Sequence, residues 1–566
     1  MESGREGACT VSGTSAKLWR AAAALLAVGV LAACTDSPAA TSSSGVNTVL
    51  TVTTGASTPF VAVFNPYAPS NSDATDGMIL EPLYYFDTVD ASRVSPWLAT
   101  SYKWSPDGTS LTFTLRDGVK WSDGQAFTSA DVAFTFNQEI SNKTLNQHNL
   151  PLTGVRAPDQ HTVTLSFSRP EFSDLFFIAG NTFIVPKHIW STVADPATFT
   201  NTTPVGTGAY EVASTTPQVM TLTANPHYYQ PGMPKFKTIR FLTYKDNNAS
   251  NAALAAGELN WGGNYIPNIQ QNYLSKNPNF HMVNIPLSIA FLVPNLKTGP
   301  TAALPVRQAI SAALQRDFIS KTVYGGNAPA TNPMALLTPN YSNVLDPSLR
   351  NEKLPAGDPA QAKNILTQAG YQLGSNGVFN DPTGKPLDIQ LQVIQPYSDY
   401  VQDVQIAQQQ LKAAGINLVV DAESGQQFNN NRSNGQFQLL IDNYGYTPSP
   451  YAYYYNLLSS SIAPKAGVPD LVGNYGGYAN PDVDAALATI ASTTDKTTQQ
   501  RAFATIEQRF IKDMPLIPLF EQQNEQEFDG NVVTGFPTSD NPYASPAIYM
   551  QPDNGWVAMR LAPAHQ

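Results

Sequence analysis

Beyond Cys34 the chain contains no further cysteine, so the rest of its 566 residues must fold without a disulfide and be held by burial alone. A chain of this length exceeds what one hydrophobic core usually serves, which predicts two or three packed units. Charged residues make up only 13% and aromatics 10%, with 25 Tyr and 26 Phe. That describes a polar-neutral globular protein, whose many rings are either packed or waiting for a ligand.

At the N-terminus, Arg5, Lys17 and Arg20 precede an unbroken small and apolar run from Ala21 to Ala33, too short to span a bilayer. The order reads as a secretory signal over residues 1–33. Its end, Leu31-Ala32-Ala33-Cys34, resembles the lipobox of bacterial lipoproteins. The resemblance implies cleavage before Cys34, a lipid on that cysteine and a body tethered to the outer face of the cell membrane; an ordinary signal peptide with an incidental cysteine is the alternative. Cys9 is lost under either reading. Residues 34–45 lack apolar periodicity and read as a flexible tether with a reach of roughly 20 Å. Without residues 1–33 the net charge is −12, which argues against nucleic acid as a partner.

The body reads as alternating α/β construction. A short apolar strand opens at Val49 to Val52. Alternation at Leu111, Phe113 and Leu115 runs into Asp117-Gly118 and Asp123-Gly124, the signal of paired strands. Thr128 with Asp131 approximates a capping box before a helix carrying Val132, Phe136 and Ile140 on one face. From Pro305 the spacing predicts one helix burying Val306, Ile310, Ala313, Leu314 and Phe318, with Arg307, Gln308, Arg316 and Lys321 outside. Asp358-Pro359 opens a helix that Gly370 stops. Val404 to Ala414 hands through Gly415 to a strand at Ile416 to Val420, and Asn480-Pro481 and Thr498 begin two further helices, the second broken at Met514-Pro515.

Leu111 to Gly124 (LTFTLRDGVKWSDG), followed by Thr128 and Ala130-Asp131-Val132, is similar to the signature of the family-5 extracellular solute-binding proteins, the oligopeptide-, dipeptide- and nickel-binding components of ABC importers. Further matches follow in family order: Pro204 to Tyr210, Asn225 to Tyr229, Ala256 to Leu259, Pro305 to Ile310 with Gln315-Arg316, Asp358 to Tyr371, Gly477 to Asp484 and Met514 to Phe520. Most of these residues make turns and helix starts, and so identify the fold rather than the ligand.

The resemblance implies an α/β, two-lobed periplasmic-binding-protein-like fold of class II (cluster C) type, with an extra domain inserted in the first lobe. The expected borders are 45–85, 204–296 and 525–566 for the first lobe, 86–203 for the added domain and 297–524 for the second lobe. It further implies a monomer that closes by hinge motion around a small-molecule or peptide ligand and delivers it to an ABC permease served by a separate ATPase subunit. Carried over by local motif, the ligand-binding candidates are Trp261, Gly263, Asn264 and Tyr265, with Phe291 on a first-lobe strand near them. In the second lobe they are Tyr444, Gly445, Tyr446 and Thr447. Core packing is the competing reading for each ring. Peptide-binding relatives carry an aspartate for the peptide α-amino group where Thr447 aligns; only a shift of register brings Asp442 there. An unpaired buried ammonium is costly, so the departure favours blocked peptides, glycosides or another neutral solute over free peptides.

The expected function is therefore an extracytoplasmic substrate-binding lipoprotein, not an enzyme, for an oligopeptide or similar solute. The alternatives are a non-peptide solute (oligosaccharide, glycoside, metal chelate or haem) or a peptide-sensing receptor. A secreted hydrolase is the remaining rival, but no GxSxG, HExxH or Walker A stretch is present. No catalytic residue, cofactor or metal site is expected; Asp482 and Asp484 suit the first turn of a helix better than an ion.

Overall fold

The computed structural model describes residues 48–564 apart from 56–58, 69–70, 91, 286–287, 338–339, 446, 466–471 and 523. Cys34, the tether and Tyr446 therefore lie outside the described residues.

Two large sheets carry the fold. The first has seven strands in the spatial order Phe280–Asn284, Glu525–Asp529, Trp261–Gly262, Val49–Val52, Thr238–Leu242, Val219–Ala224 and Tyr210–Thr215. Val49–Val52 runs parallel to both of its neighbours. The second has five strands in the order Asn417–Glu423, Asp388–Ile394, Leu439–Gly445, Ser288–Pro294 and Ile517–Gln522. Its first three are mutually parallel and the other two antiparallel. A separate antiparallel sheet of four strands, Ala99–Trp104, Ser110–Leu115, Thr162–Phe167 and Leu152–Asp159, builds the region between. Its residues 172–179 lean on the second-sheet side: the Phe177 and Tyr455 rings are 5.4 Å apart, and Ser173 donates to the Ile490 carbonyl at 2.9 Å.

Ser288–Pro294 corrects one expected border. It pairs along its length with Leu439–Gly445, so the chain leaves the first sheet between Asn284 and Ser288, not after 296, and Phe291 belongs to the second sheet. The apolar run of this strand is buried on both faces, and only a strand interior to a sheet can bury both. The chain returns to the first sheet between Gln522 and Glu525.

Local chemistry explains the helix ends. Thr128 and Asp131 form the full capping box ahead of Ser129–Ser141. Asp358 accepts from the Ala360 amide at 2.8 Å, and Asn480 caps Pro481–Ser492. Asp484 accepts from Ser460, and Asp482 pairs with Arg509, so neither is left for an ion. The single helix expected from Pro305 is two, Leu304–Ala313 and Arg316–Val323, because Leu314 is extended. The break rotates Phe318 to the surface, where it is 54% exposed. Both arginines expected outside are buried. Arg316 donates to the Pro518 carbonyl at 2.8 Å and to the Ser311 carbonyl and hydroxyl at 3.0 and 2.9 Å. Arg307 is held the same way by the carbonyls of Thr301, Ala302, Asp513 and Met514. A guanidinium can be buried without a carboxylate when carbonyl oxygens meet its fork of donors.

Buried carboxyls are common. Burial pushes Asp76 and Asp553 up to about 7, and Glu81, Glu139 and Glu507 up to about 8. Each holds its proton in the folded state at pH values where the unfolded chain has released it, so folding is favoured at low pH and loses that advantage as pH rises from about 4 through about 8. The melting temperature of the ligand-free protein should therefore fall by several degrees between pH 5 and pH 8 in a differential scanning experiment. A flat or rising profile across that range contradicts the protonated assignment.

Candidate functional site

Strand geometry decides where the two sheets can offer a ligand polar groups. In a parallel sheet the chain leaves each strand at its carboxyl end into a loop or helix N-terminus, where backbone and short polar side chains face outward. Here the carboxyl ends of the parallel strands of both sheets meet around one cavity of about 770 Å³. Val49–Val52 leads to Thr54, Gly55 and the 59–63 loop; Thr238–Leu242 leads to Asn247; Trp261–Gly262 leads to Gly263, Asn264 and Tyr265. From the second sheet, Asp388–Ile394 leads to Pro396, Tyr397, Asp399 and Tyr400, and Asn417–Glu423 leads to Ser424, Gly425 and Gln426. Leu439–Gly445 contributes Asn443 and Gly445, and the crossings add Ser288, Gln522, Asn524 and Glu525.

Hydrogen bonds tie these side chains into a fixed polar floor. Asn443 donates to the Tyr400 hydroxyl at 2.7 Å, Tyr400 donates to the Gln522 carboxamide oxygen at 2.9 Å, and Ser288 donates to the same oxygen at 3.2 Å. Gln522 at one crossing thus anchors the tyrosine that the second sheet sends into the cavity, and Ser288 at the other braces Gln522. Among the described residues, Tyr265 donates to the Val323 carbonyl across the cleft, and Asn247 donates to Ser398 at 3.4 Å. Gly263 sits close against Gln526, so that a Cβ there would stand 2.7 Å from Gln526 Oε1 and would displace that side chain.

The described lining contains no lysine, arginine or histidine, but has three carboxylates, Asp73, Asp399 and Glu525. Burial pushes Asp73 and Asp399 up to about 6 and Glu525 up to about 7. Eight carboxamides and five tyrosines make up most of the remaining polar lining. Among the described residues no group of three or more His, Cys, Asp or Glu side chains is arranged to hold a metal ion.

The structure sorts the residues singled out in the sequence. Gly263, Asn264, Tyr265 and Gly445 line the cavity together. Trp261 does not: it is fully buried, donates its indole N–H to the Pro546 carbonyl at 2.9 Å and packs on Phe536. Phe291 and Tyr444 are likewise core rings 5.6 Å apart, with the Tyr444 hydroxyl given to the Gly473 carbonyl. Alternation along Leu439–Gly445 causes this, because Asn443 and Gly445 face the cavity and their neighbours cannot. Thr447 lies off the lining, its amide and carbonyl both bonded to the Tyr341 hydroxyl. Asp442 is no substitute, since Arg432 holds its carboxylate at 2.6 Å. The sequence reading missed Asn247, Tyr324, Tyr400, Asp399, Gln522 and Glu525. The signal for some was present, in the polar residues that follow the carboxyl ends of the strands at 388–394 and 417–423.

Comparison with known proteins places this geometry. The model of bacterial extracellular solute-binding proteins, family 5 Middle, matches residues 93–465. The glutathione-binding protein GsiB of Pectobacterium atrosepticum is 27% identical over 446 residues, covering 74% of this chain and 79% of that protein. The nickel-binding periplasmic protein of Escherichia coli is 26% identical, over 81% of this chain and 87% of that protein. Among solved structures, a mannohexaose-bound periplasmic oligopeptide-binding protein of an ABC transporter from Thermotoga maritima superposes with a TM-score of 0.85 at 25% identity, covering 92% of this chain and 99% of that one. The chain belongs to the family-5 bacterial extracellular solute-binding proteins, the substrate-binding components of ABC transporters.

Proposed function

We propose that this protein captures a polyhydroxylated solute of the oligosaccharide class outside the cytoplasm and hands it to the permease of an ABC importer, whose ATPase is a separate subunit. The observation that carries the ligand class is the cavity lining: eight carboxamides and five tyrosines with no basic side chain. Carboxamides both donate to and accept from sugar hydroxyls, and tyrosine faces stack on the apolar faces of pyranose rings. The Thermotoga maritima protein with mannohexaose bound supports the same class. A ligand touching the loops of both sheets favours the closed arrangement over the open one, and that difference in affinity drives closure. The Leu31-Ala32-Ala33-Cys34 order after the basic and apolar N-terminal run supports attachment through a lipid on Cys34.

An oligopeptide is the second reading, favoured by relatives such as the oligopeptide-binding protein AppA of Bacillus subtilis, 25% identical over 83% of this chain and 86% of that protein. The described lining offers a free peptide carboxylates for its ammonium but no cation for its C-terminus. That imbalance is why the oligosaccharide class is preferred.

Thermal-shift titration of the full-length protein should show stabilisation rising with the concentration of mannohexaose or cellotetraose, since only the folded state binds. Stabilisation by unmodified peptides alone selects the second reading, and none with either class contradicts both. Asn443→Ala should weaken the active ligand by roughly tenfold, about 1.4 kcal/mol. Trp261→Phe should lower the melting temperature yet leave Kd unchanged, because its ring never reaches the cavity. Cys34→Ser should move the protein from the membrane fraction to the soluble fraction of cells; retention in the membrane rules out the lipid anchor.

A further inference from the structure

Asp399 is 9% exposed and lines the cavity, where burial raises its pKa and the backbone amides of Tyr400 and Asp399 are the groups that favour its charged form. Glu525 lines the same cavity, and its Oε2 is buried without a hydrogen-bond partner. The Asn264 side chain, 5% exposed, spends its amide donors on Ser250 and Asn251 and leaves its oxygen buried with no donor. Strand register sets Asn264 opposite Glu525, since Trp261 and Gly262 pair with Phe528 and Glu527, and the 3.4 Å bond from Asn247 to Ser398 brings the start of the Asp399 helix against the same side of the cavity. Behind this wall stand two more acids: Asp403, which takes the Tyr324 hydroxyl at 2.7 Å, and Glu527, which takes the Asn264 amide at 3.4 Å. Burial pushes Asp403 and Glu527 well above the usual carboxyl range, and among the described residues none of the four acids forms an ion pair.

Among these groups only Asp399 sits at the positive end of a helix. Asp246 caps Asn247–Ala255 by accepting from Ala249 at 2.8 Å, and Ser424 caps Gly425–Ser433 by accepting from Gln427 at 3.3 Å. The third helix, Ser398–Ala413, carries Asp399 in its own first turn. Arg432 is already paired with Asp442. A neutral sugar would leave the acceptors at Asp399, Glu525 and Asn264 with hydroxyl donors at best, and the desolvated carboxylates with no countercharge. A positively charged donor supplies both.

We infer that the ligand carries an ammonium group on its polyhydroxylated body, as an amino-oligosaccharide does, and that Asp399 and Glu525 receive that ammonium beside the Asn264 carboxamide oxygen. This rests on the solute-binding reading of the cavity and narrows it to a cationic sugar. It also accounts for the absence of basic residues from the described lining, since an amino-oligosaccharide has no carboxylate to be met.

Isothermal titration of the full-length protein at neutral pH with three β-1,4-linked tetramers of the same length separates the possibilities: glucosamine, glucose and N-acetylglucosamine. The glucosamine tetramer is expected to bind at least about tenfold tighter than either neutral tetramer, as charge-assisted hydrogen bonds to desolvated carboxylates require. In an Asp399→Asn, Glu525→Gln double variant, which keeps the shape of both side chains, the preference for the glucosamine tetramer over the glucose tetramer should vanish. Equal binding of all three tetramers to the unmodified protein overturns the ammonium site and leaves the oligosaccharide reading standing. A preference that survives in the double variant overturns the assignment to Asp399 and Glu525. Failure of every tetramer overturns this inference together with the oligosaccharide reading.

Discussion

Two crossings of the chain between the sheets hold the arrangement together. At the first, Phe280–Asn284 ends in one sheet and Ser288–Pro294 begins in the other; at the second, Ile517–Gln522 ends in one and Glu525–Asp529 begins in the other. The strands on either side of the crossings are themselves partners, Ser288–Pro294 with Ile517–Gln522 and Phe280–Asn284 with Glu525–Asp529. The two connections therefore lie side by side, and any relative motion of the sheets must be absorbed in the few residues between paired strands. Short connections flanked by rigid elements are what hinge closure requires. The same geometry brings Ser288, Gln522, Asn524 and Glu525 to the cavity, so the ligand would touch the residues about which the sheets turn.

Given those crossings, the location of the cavity follows from strand direction. Each sheet contains parallel strands whose carboxyl ends open toward the other sheet, and loops at such ends are free to carry polar residues because the strands behind them hold the core. Trp261 shows the division of labour within three residues: its ring is fully buried in the first-sheet core, while Gly263 and Asn264 line the cavity. The Asn443–Tyr400–Gln522–Ser288 chain of hydrogen bonds does the same for the second sheet, fixing side chains in advance of binding so that less freedom is lost when a ligand arrives.

Much of this was legible in the sequence, and the failures have physical causes. Caps at Thr128, Asp358 and Asn480 are local, so residue type and spacing were enough to place them. The merged helix at 304–323 failed because buried arginines imitate exposed ones in any hydrophobic pattern. Nothing in the local sequence shows that the Ser311 and Pro518 carbonyls will surround Arg316. Phe291, Tyr444 and Trp261 were selected as rings near the right segments, but which face of a strand meets a cavity depends on register with partners distant in the chain. Pairing of Phe291 with Asp442 is set by folding, not by neighbours in sequence. Asp399 and Glu525 were invisible for the same reason: each is an ordinary acid at an element start until 125 residues of intervening chain bring them to one cavity.

The central claim is that one ligand is held between the two sheets, at the carboxyl ends of their parallel strands and beside both crossings. A crystal structure of the protein grown with a bound oligosaccharide tests this most directly. The account predicts ligand density touching Asn264 and Tyr265 from the first sheet together with Tyr400, Asp399 and Asn443 from the second. Density confined to one sheet, or lodged in the four-stranded region built from residues 99–167, would contradict it.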